Sequence, residues 1–304
     1  MGTLFRIKLY AQDEQQAQAA FHSAFERIAS IDEALSDYKP NSELSRLPAT
    51  AVQHAVKVGQ DLFDVLSASQ RMAQETDGAF DITVGPLTHL WRDARRQRRV
   101  PQPADVKQAL SRCGFRKLHV SAADKTVQLD VPGMQLDAGG IAKGYAADQA
   151  LAVLKQNGIS MALVAASGDL AFSDAPPRQR GWKIGIDSYD SANAPFTRIV
   201  ELQNAAVSTS GDTEQHLDAG GVRYSHIINP QTGVGVTTPV TVTVIARHGM
   251  DADSMATAIS VLGLARGRTL VDSKPDMAAL IVVREPGQAQ VAESSRFGAI
   301  TATK

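Results

Sequence analysis

The run Asp137-Ala-Gly-Gly-Ile-Ala-Lys-Gly-Tyr145 constrains this chain more than any other segment, because it forces a change from extended to helical backbone at a glycine pair. Before it, Thr126 to Asp130 and Met134 to Leu136 are strand-like. After it, Ile141 to Asn157 places Ile141, Tyr145, Leu151 and Leu154 at helical spacing, and Gly158 supplies a stop. Gly139 and Gly140 let backbone approach a ligand, while the amides and dipole of the helix start favour anionic oxygens and Lys143 adds a point charge. The spacing is neither that of a Walker A loop nor that of the dinucleotide fingerprint. Taken alone, a Gly-Gly helix entry is a tight turn as often as a phosphate site.

Composition sets outer limits. A chain of 304 residues that is 43% hydrophobic can bury a substantial core, and a net charge of −1 gives no electrostatic case for nucleic acid or an anionic membrane. Arg92, Arg95, Arg96, Arg98 and Arg99 cluster beside Trp91, a pattern expected of a solvated loop or helix face. Cys113 is the only cysteine, which excludes an intrachain disulfide and a cysteine-rich metal site and leaves it as a small buried filler. No apolar stretch has the length of a membrane span, and the first residues lack the basic and apolar regions of a signal peptide, so the chain as given is expected to be soluble.

The pattern along the chain is mixed. Phe5 to Tyr10 alternates like a strand, and Asp13 to Leu35 is expected to be a long helix with Ala19, Phe21, Phe25, Ile28 and Ile31 available to its buried side. Ser36 to Pro48 is polar and turn-rich. Helices are expected over Val58 to Thr76, ended by Asp77-Gly78, and over Pro103 to Cys113. Strands are expected at Lys117 to Val120, Met161 to Ala165, Trp182 to Ile186, Val240 to Ala246 and Met277 to Val283. His216 to Asp218 and Val222 to Ile228 flank Gly220-Gly221 as a hairpin, and Asp253 to Leu262 is helical with Gly263 after it. Hairpins separated by helices argue for an α+β fold with largely antiparallel sheets. No linker divides the chain, which is expected to form one domain over residues 1–304.

Two local patterns carry candidate chemistry. Asp253 and Thr257, four apart on a helix, lie on one face and offer hard oxygen ligands of the kind Mg²⁺ takes with substrate phosphate and water. Equally, Asp253 is placed to cap the helix and Thr257 to bond back to its own turn, with Asp251 an alternative cap. His226, near the end of a strand, is either structural or a general base.

Five further runs join the first. They are Leu35-Ser-Asp-Tyr-Lys-Pro-Asn-Ser-Glu-Leu-Ser-Arg46, Asp77-Gly-Ala-Phe-Asp-Ile-Thr-Val-Gly-Pro-Leu87, Ser208-Thr-Ser-Gly-Asp212, Ser225-His-Ile-Ile-Asn-Pro-Gln-Thr-Gly233 and Asp253-Ser-Met-Ala-Thr257. With Met1-Gly-Thr3, they resemble, in order and over nearly the whole chain, the ApbE family of FAD:protein FMN transferases. The resemblance implies a T-fold-related architecture, with sheet and helix layers forming two lobes around a nucleotide cleft. It also implies Asp253, Thr257 and the backbone carbonyl of Gly140 as metal ligands, and His226 as the base beside the phosphates. Tyr38 matches an aromatic lying against the isoalloxazine ring, its other reading being an exposed loop tyrosine. Met1, Ala79, Phe80 and Asp81 match the lining of the flavin nucleotide site, although Phe80 and Asp81 equally suit the start of a strand. Asp137 matches a residue touching the nucleotide and Lys143 a position facing it. Ser210 lies in the family's Thr-Ser-Gly-Asp run, where Thr213 replaces a frequent aromatic.

Two departures stand out. Asn229 replaces the usual aspartate, which either tunes His226 or shapes the turn. Ser167-Gly-Asp169 replaces Gly-Gly-Asp, and the site is expected to survive if Ser167 has negative φ.

The implied reaction is Mg²⁺-dependent transfer of FMN from FAD to a threonine or serine hydroxyl of an acceptor flavoprotein, releasing AMP. The acceptor motif of the family has the form Asp-x-x-Ser-Gly-Ala-Thr/Ser, typically in a membrane electron-transfer subunit. This chain lacks it and reads as the donor enzyme. The alternatives are an Mg²⁺-dependent FAD pyrophosphatase and a non-catalytic FAD-binding protein. By the same resemblance the chain is exported if it is a trimmed mature form, and otherwise cytoplasmic.

Overall fold

The computed structural model describes residues 2–52, 54–189, 194–211, 215–285 and 288–301 of the 304. Met1, Asp212 and Thr213 lie outside the described residues. The chain opens with β1 (Phe5–Leu9), α1 (Glu14–Leu35), α2 (Glu43–Thr50), β2 (Val56–Lys57), α3 (Gln60–Glu75), α4 (Gly85–Gln97) and α5 (Pro103–Ser111). It continues through β3 (Leu118–Ser121), β4 (Thr126–Leu129), α6 (Ala142–Gln156), β5 (Ala162–Ala166), β6 (Asp169–Phe172), β7 (Trp182–Tyr189) and β8 (Pro195–Leu202). The last elements are β9 (Ala205–Gly211), β10 (His216–Ala219), β11 (Val222–Ser225), β12 (Val240–Ala246), α7 (Gly249–Asp272), β13 (Ala278–Glu285), β14 (Gln288–Glu293) and α8 (Ser295–Thr301).

Seven strands form one sheet in the order β1-β5-β6-β9-β12-β13-β14, every neighbouring pair antiparallel. Both faces of its centre are covered. Along β13, Ala279, Ile281 and Val283 join the core under α1, α6 and α7, whereas Ala278, Leu280 and Val282 join a second core under the β7–β8 hairpin and α8. That double burial explains why β13 reads as a continuous apolar run from Ala278 to Val283. The α+β expectation with antiparallel sheets therefore holds.

Local chemistry sets the starts of α1 and α2. Asp13 caps α1 by accepting from the Gln16 amide at 2.8 Å, and the helix buries Ala20, Ala24, Ile28, Ile31 and Leu35. The expected stripe was one position off in places: Ala19 and Phe25 are exposed. The Ser36 to Pro48 segment is not turn alone, since Ser42 caps α2 and Leu44 and Leu47, three apart, bury its inner side. Met134 to Leu136 forms no strand, its one ladder contact being a parallel bridge between Val84 and Gln135. Gly263 is a break, not an end: its φ of 76° interrupts α7, and the second half folds so that Gly267 lies against Ile259.

A third apolar cluster joins α4 and α5 to the β10–β11 hairpin through Leu87, Trp91, Ala94, Ala109, Cys113, Leu217 and Ile228. Trp91 locks it, donating its indole N–H to the Gly233 carbonyl at 2.8 Å. Cys113 is buried, as expected of a filler, and burial pushes its thiol up to about 12. Among the described residues, no helix is long and apolar enough to cross a membrane.

Candidate active site

The glycine-pair entry to α6 is shaped by Asp137. One of its carboxylate oxygens accepts from the Gly139 amide at 2.8 Å and the other from the Arg92 guanidinium at 2.8 Å. At the second residue of the helix, the Lys143 ammonium lies 2.8 Å from the Gly139 carbonyl, 3.2 and 3.3 Å from the two oxygens of Asp253, and 3.3 Å from Asp169. Burial pulls this ammonium toward neutrality, but the two carboxylates outweigh it and raise its pKa. Asp253 is itself raised, first by burial and then by the charge of Asp169.

Asp253 is not the cap of its own helix. It reaches across to α6 and accepts from the Gly144 amide at 3.2 Å, so a protein carboxylate takes an α6 amide that the sequence left for a ligand. Asp251 pairs with Arg71 at 3.1 Å. The amides of Gly249 and Met250 that open α7 are capped instead by Asp148 of α6, at 2.8 and 3.0 Å. Thr257 makes no bond back to its turn, and among the described residues its hydroxyl has no protein partner. A methyl group on Gly140 would stand 2.8 Å from that hydroxyl oxygen and 3.4 Å from the Phe80 ring, which places the Gly140 backbone directly against Thr257.

These residues suit a hard cation. Asp253, the free Thr257 hydroxyl and the adjacent glycine backbone are oxygen donors, and the Lys143 ammonium already stands as a positive charge between two buried carboxylates. Among the described residues there is no group of three or more His, Cys, Asp or Glu side chains that could hold a metal ion.

His226 follows β11, whose hairpin rests on α4. Its Nδ1 lies 3.1 Å from the Gln215 carbonyl; a carbonyl only accepts, so Nδ1 carries the proton and Nε2 presents its lone pair. Burial holds His226 below the ordinary histidine value; the Gln215 bond opposes this, and the charges of Arg95 and Lys143 add to it. Asn229 answers the question its substitution posed. Its side-chain oxygen accepts from the Gln231 amide at 2.9 Å in a turn that aspartate builds equally well, and among the described residues no hydrogen bond joins it to His226.

The arginine cluster is not simply solvated. Arg92 and Arg95, one turn apart on α4, line a cavity of about 690 Å³ together with Asp37, Tyr38, His89, Asp93 and Arg96. Arg92 bridges Asp37 and Asp137, and its guanidinium lies 4.3 Å from the centre of the Tyr38 ring. Tyr38 is thus backed on one face by a cation while remaining 65% exposed.

The other expected residues divide. Ala79 and Phe80 are buried, Phe80 facing Gly140. Asp81 is engaged by the protein: it accepts from the Thr83 amide and hydroxyl and from the Phe115 amide, at 2.7 to 2.8 Å, and burial raises it. Ser210 is half-buried in β9, opposite Val242. Met1 lies outside the described residues. Ser167, expected to need negative φ, has φ +57° at the first turn position between β5 and β6, where hairpins favour glycine. Beyond this turn Asp169 lies 3.3 Å from Lys143, with its other oxygen bound by Ser208.

Sequence reasoning missed Asp169, Arg92, Arg95 and Asp37 as parts of this site. Asp169 stood in a recognised run, but nothing local linked it to residue 143.

A seven-stranded antiparallel sheet layered with helices carries a buried Lys–Asp–Asp cluster, a threonine hydroxyl with no protein partner among the described residues, and a histidine whose Nδ1 meets a backbone carbonyl; the chain is an α+β protein. The ApbE family model matches residues 1–281, and the chain belongs to the ApbE family. It is 34% identical over 298 residues to the FAD:protein FMN transferase of Treponema pallidum, covering 93% of this chain and 82% of that one. It is 30% identical over 290 residues to the enzyme of the same name from Salmonella typhimurium, covering 94% and 83%. Among solved structures, the apo form of the Pseudomonas stutzeri flavinyl transferase ApbE matches with a TM-score of 0.88 at 29% identity, over 100% of this chain and 95% of that one. The flavin transferase ApbE from Vibrio cholerae matches at 0.87 and 29% identity, over 99% and 96%.

Proposed function

We propose that this chain, acting as one unit, transfers FMN from FAD to a threonine or serine hydroxyl of an acceptor flavoprotein and releases AMP. The observation that carries this reading is the state of His226: its proton is held on Nδ1 by the Gln215 carbonyl, and burial keeps the ring neutral, so Nε2 is ready to take a proton. The names of the relatives and structural neighbours support the flavin chemistry.

In this reading Tyr38 offers its exposed face to the isoalloxazine ring, with Arg92 behind it. Asp253, Thr257 and the Gly140 carbonyl hold Mg²⁺, which when bound neutralises charge on the pyrophosphate. His226 Nε2 takes the proton of the acceptor hydroxyl, whose oxygen forms a bond to the FMN-side phosphorus. The bond from that phosphorus to the bridging oxygen breaks, and AMP departs with that oxygen. Lys143 and Arg95 supply positive charge near the phosphates. The acceptor is a flavoprotein carrying a motif of the form Asp-x-x-Ser-Gly-Ala-Thr/Ser, such as a membrane electron-transfer subunit.

The test is mass spectrometry of a peptide bearing that motif after incubation with the protein, FAD and Mg²⁺, beside a chelator control. An FMN adduct on the hydroxyl residue, lost with chelator, is the expected result. Free FMN and AMP with the peptide unmodified identifies a pyrophosphatase, and His226→Ala with undiminished transfer removes the histidine from the mechanism.

A further inference from the structure

Lys143 occupies a cation's place. Its ammonium is surrounded by the Gly139 carbonyl at 2.8 Å, both oxygens of Asp253 at 3.2 and 3.3 Å, and one oxygen of Asp169 at 3.3 Å. Asp253 is 2% exposed and Asp169 is 4% exposed, so two desolvated carboxylates share one ammonium and one negative charge is left without a cation. The two acids are held differently. Asp253 comes from α7, one turn before Thr257, and touches the Gly144 amide. Asp169 comes from β6, and Ser208 binds its other oxygen, which fixes the free one toward Lys143. Hence only Asp253 shares a face with Thr257.

We propose that Lys143 is the resident counter-cation of the Asp253–Thr257 site, competing with a divalent cation for Asp253, and that Asp169 is the carboxylate that receives the ammonium when that cation binds. The inference rests on the proposal that Asp253 and Thr257 hold a divalent cation. Without a divalent ion Lys143 neutralises Asp253; with one, the ammonium is retained by Asp169 a short swing of its flexible stem away, and remains in the site to face an anionic ligand. Asp169 is thus a positioning residue: it acts on the cation through Lys143. The exchange leaves the cluster with two carboxylates, one ammonium and one dication, a net charge of +1, which suits a pyrophosphate and repels a further cation.

The experiment is binding of Mn²⁺ alone, followed by the electron paramagnetic resonance signal of the free ion at fixed pH and ionic strength. It uses the full chain and its Asp253→Asn, Lys143→Met, Asp169→Asn and Lys143→Met/Asp169→Asn variants, each checked for native circular dichroism. Close charge pairs couple strongly enough that removing the competitor is expected to tighten Mn²⁺ binding about tenfold in Lys143→Met. In Asp169→Asn, where the ammonium has Asp253 alone, binding is expected to weaken about tenfold. If Asp169 acts through Lys143, its substitution costs much less in the Lys143→Met background. Equal binding by the wild type and Asp253→Asn removes the metal reading itself. Binding that depends on Asp253 but is no tighter in Lys143→Met overturns the competition, and additive effects of the two substitutions overturn the role of Asp169.

Discussion

Gly144→Ala is the substitution for which local propensity and tertiary structure disagree in sign. Gly144 lies inside α6, and an interior glycine replaced by alanine ordinarily gains about 1 kcal/mol. Here a methyl group at this position would stand 2.0 Å from the Gly249 carbonyl oxygen, 2.3 Å from its carbon and 2.7 Å from the Met250 nitrogen. All three are backbone atoms of α7, so no side chain can turn aside, and the helices must separate by more than an ångström at their crossing. Overpacking against backbone belongs at the upper end of the usual cost, about 3 kcal/mol. The bonds from Gly249 and Met250 to Asp148, and from Gly144 to Asp253, span the same crossing and lengthen with it. Losing part of one charge-assisted bond adds about 1 kcal/mol. The net expectation is destabilisation by about 3 kcal/mol, a fall in melting temperature of roughly 5 °C for a chain of this size. Thermal and urea unfolding followed by circular dichroism measure it. A variant as stable as the wild type, or more stable, refutes the close crossing of α6 and α7.

Ser167→Gly should stabilise by about 0.5 to 1 kcal/mol, because relief of the left-handed conformation at φ +57° exceeds the extra chain entropy of glycine; urea unfolding that shows no gain counts against that conformation. As a base, His226 must be unprotonated, so transfer should rise as pH passes its pKa, on an acid limb below the ordinary 6.5. Arg95→Gln removes a like charge and should move that limb upward; kcat/KM profiles in which the limb stays put or falls refute the coupling. Asp148 is pushed up to about 6, chiefly by burial against the opposing Gly249 and Met250 amides. A folded pKa above the ordinary 3.8 means that its contribution to stability is greatest below that value and is lost as pH rises through 6, by up to about 3 kcal/mol. Asp148→Asn should flatten this slope, and urea titrations at pH 4 to 7 that run parallel to wild type would contradict it.

Much of the fold was legible because its signals are local. Asp13 beside the first turn of α1, Gly158 after α6 and the Gly220-Gly221 hairpin, with φ of +58° and +77°, each act within a few residues of themselves. The positions that misled were those where distant packing overrode local pattern. Phe25 looked core-facing and is exposed, and Gly263 looked like a terminus and is a kink stabilised by the return of Gly267 onto Ile259. In the same way the arginines of α4 read as a charge run, yet Arg92 is held by Asp37 and Asp137, acids 55 and 45 residues away in sequence.

By itself the sequence determined that a glycine-pair helix entry with a lysine exists, that Asp253 and Thr257 share a helix face, and that a histidine lies near the end of a hairpin strand; these depend only on residue type and backbone period. Tertiary structure alone decided what they do to one another. Lys143 and Asp253 are 110 residues apart, and their contact exists because glycines at 144 and 249 let two helices cross nearly backbone to backbone. The same crossing gives Asp253 to α6 as an amide partner, and the sheet brings Asp169 within 3.3 Å of the ammonium. Charge is felt through space, and chain spacing carries no information about that distance until the core has formed.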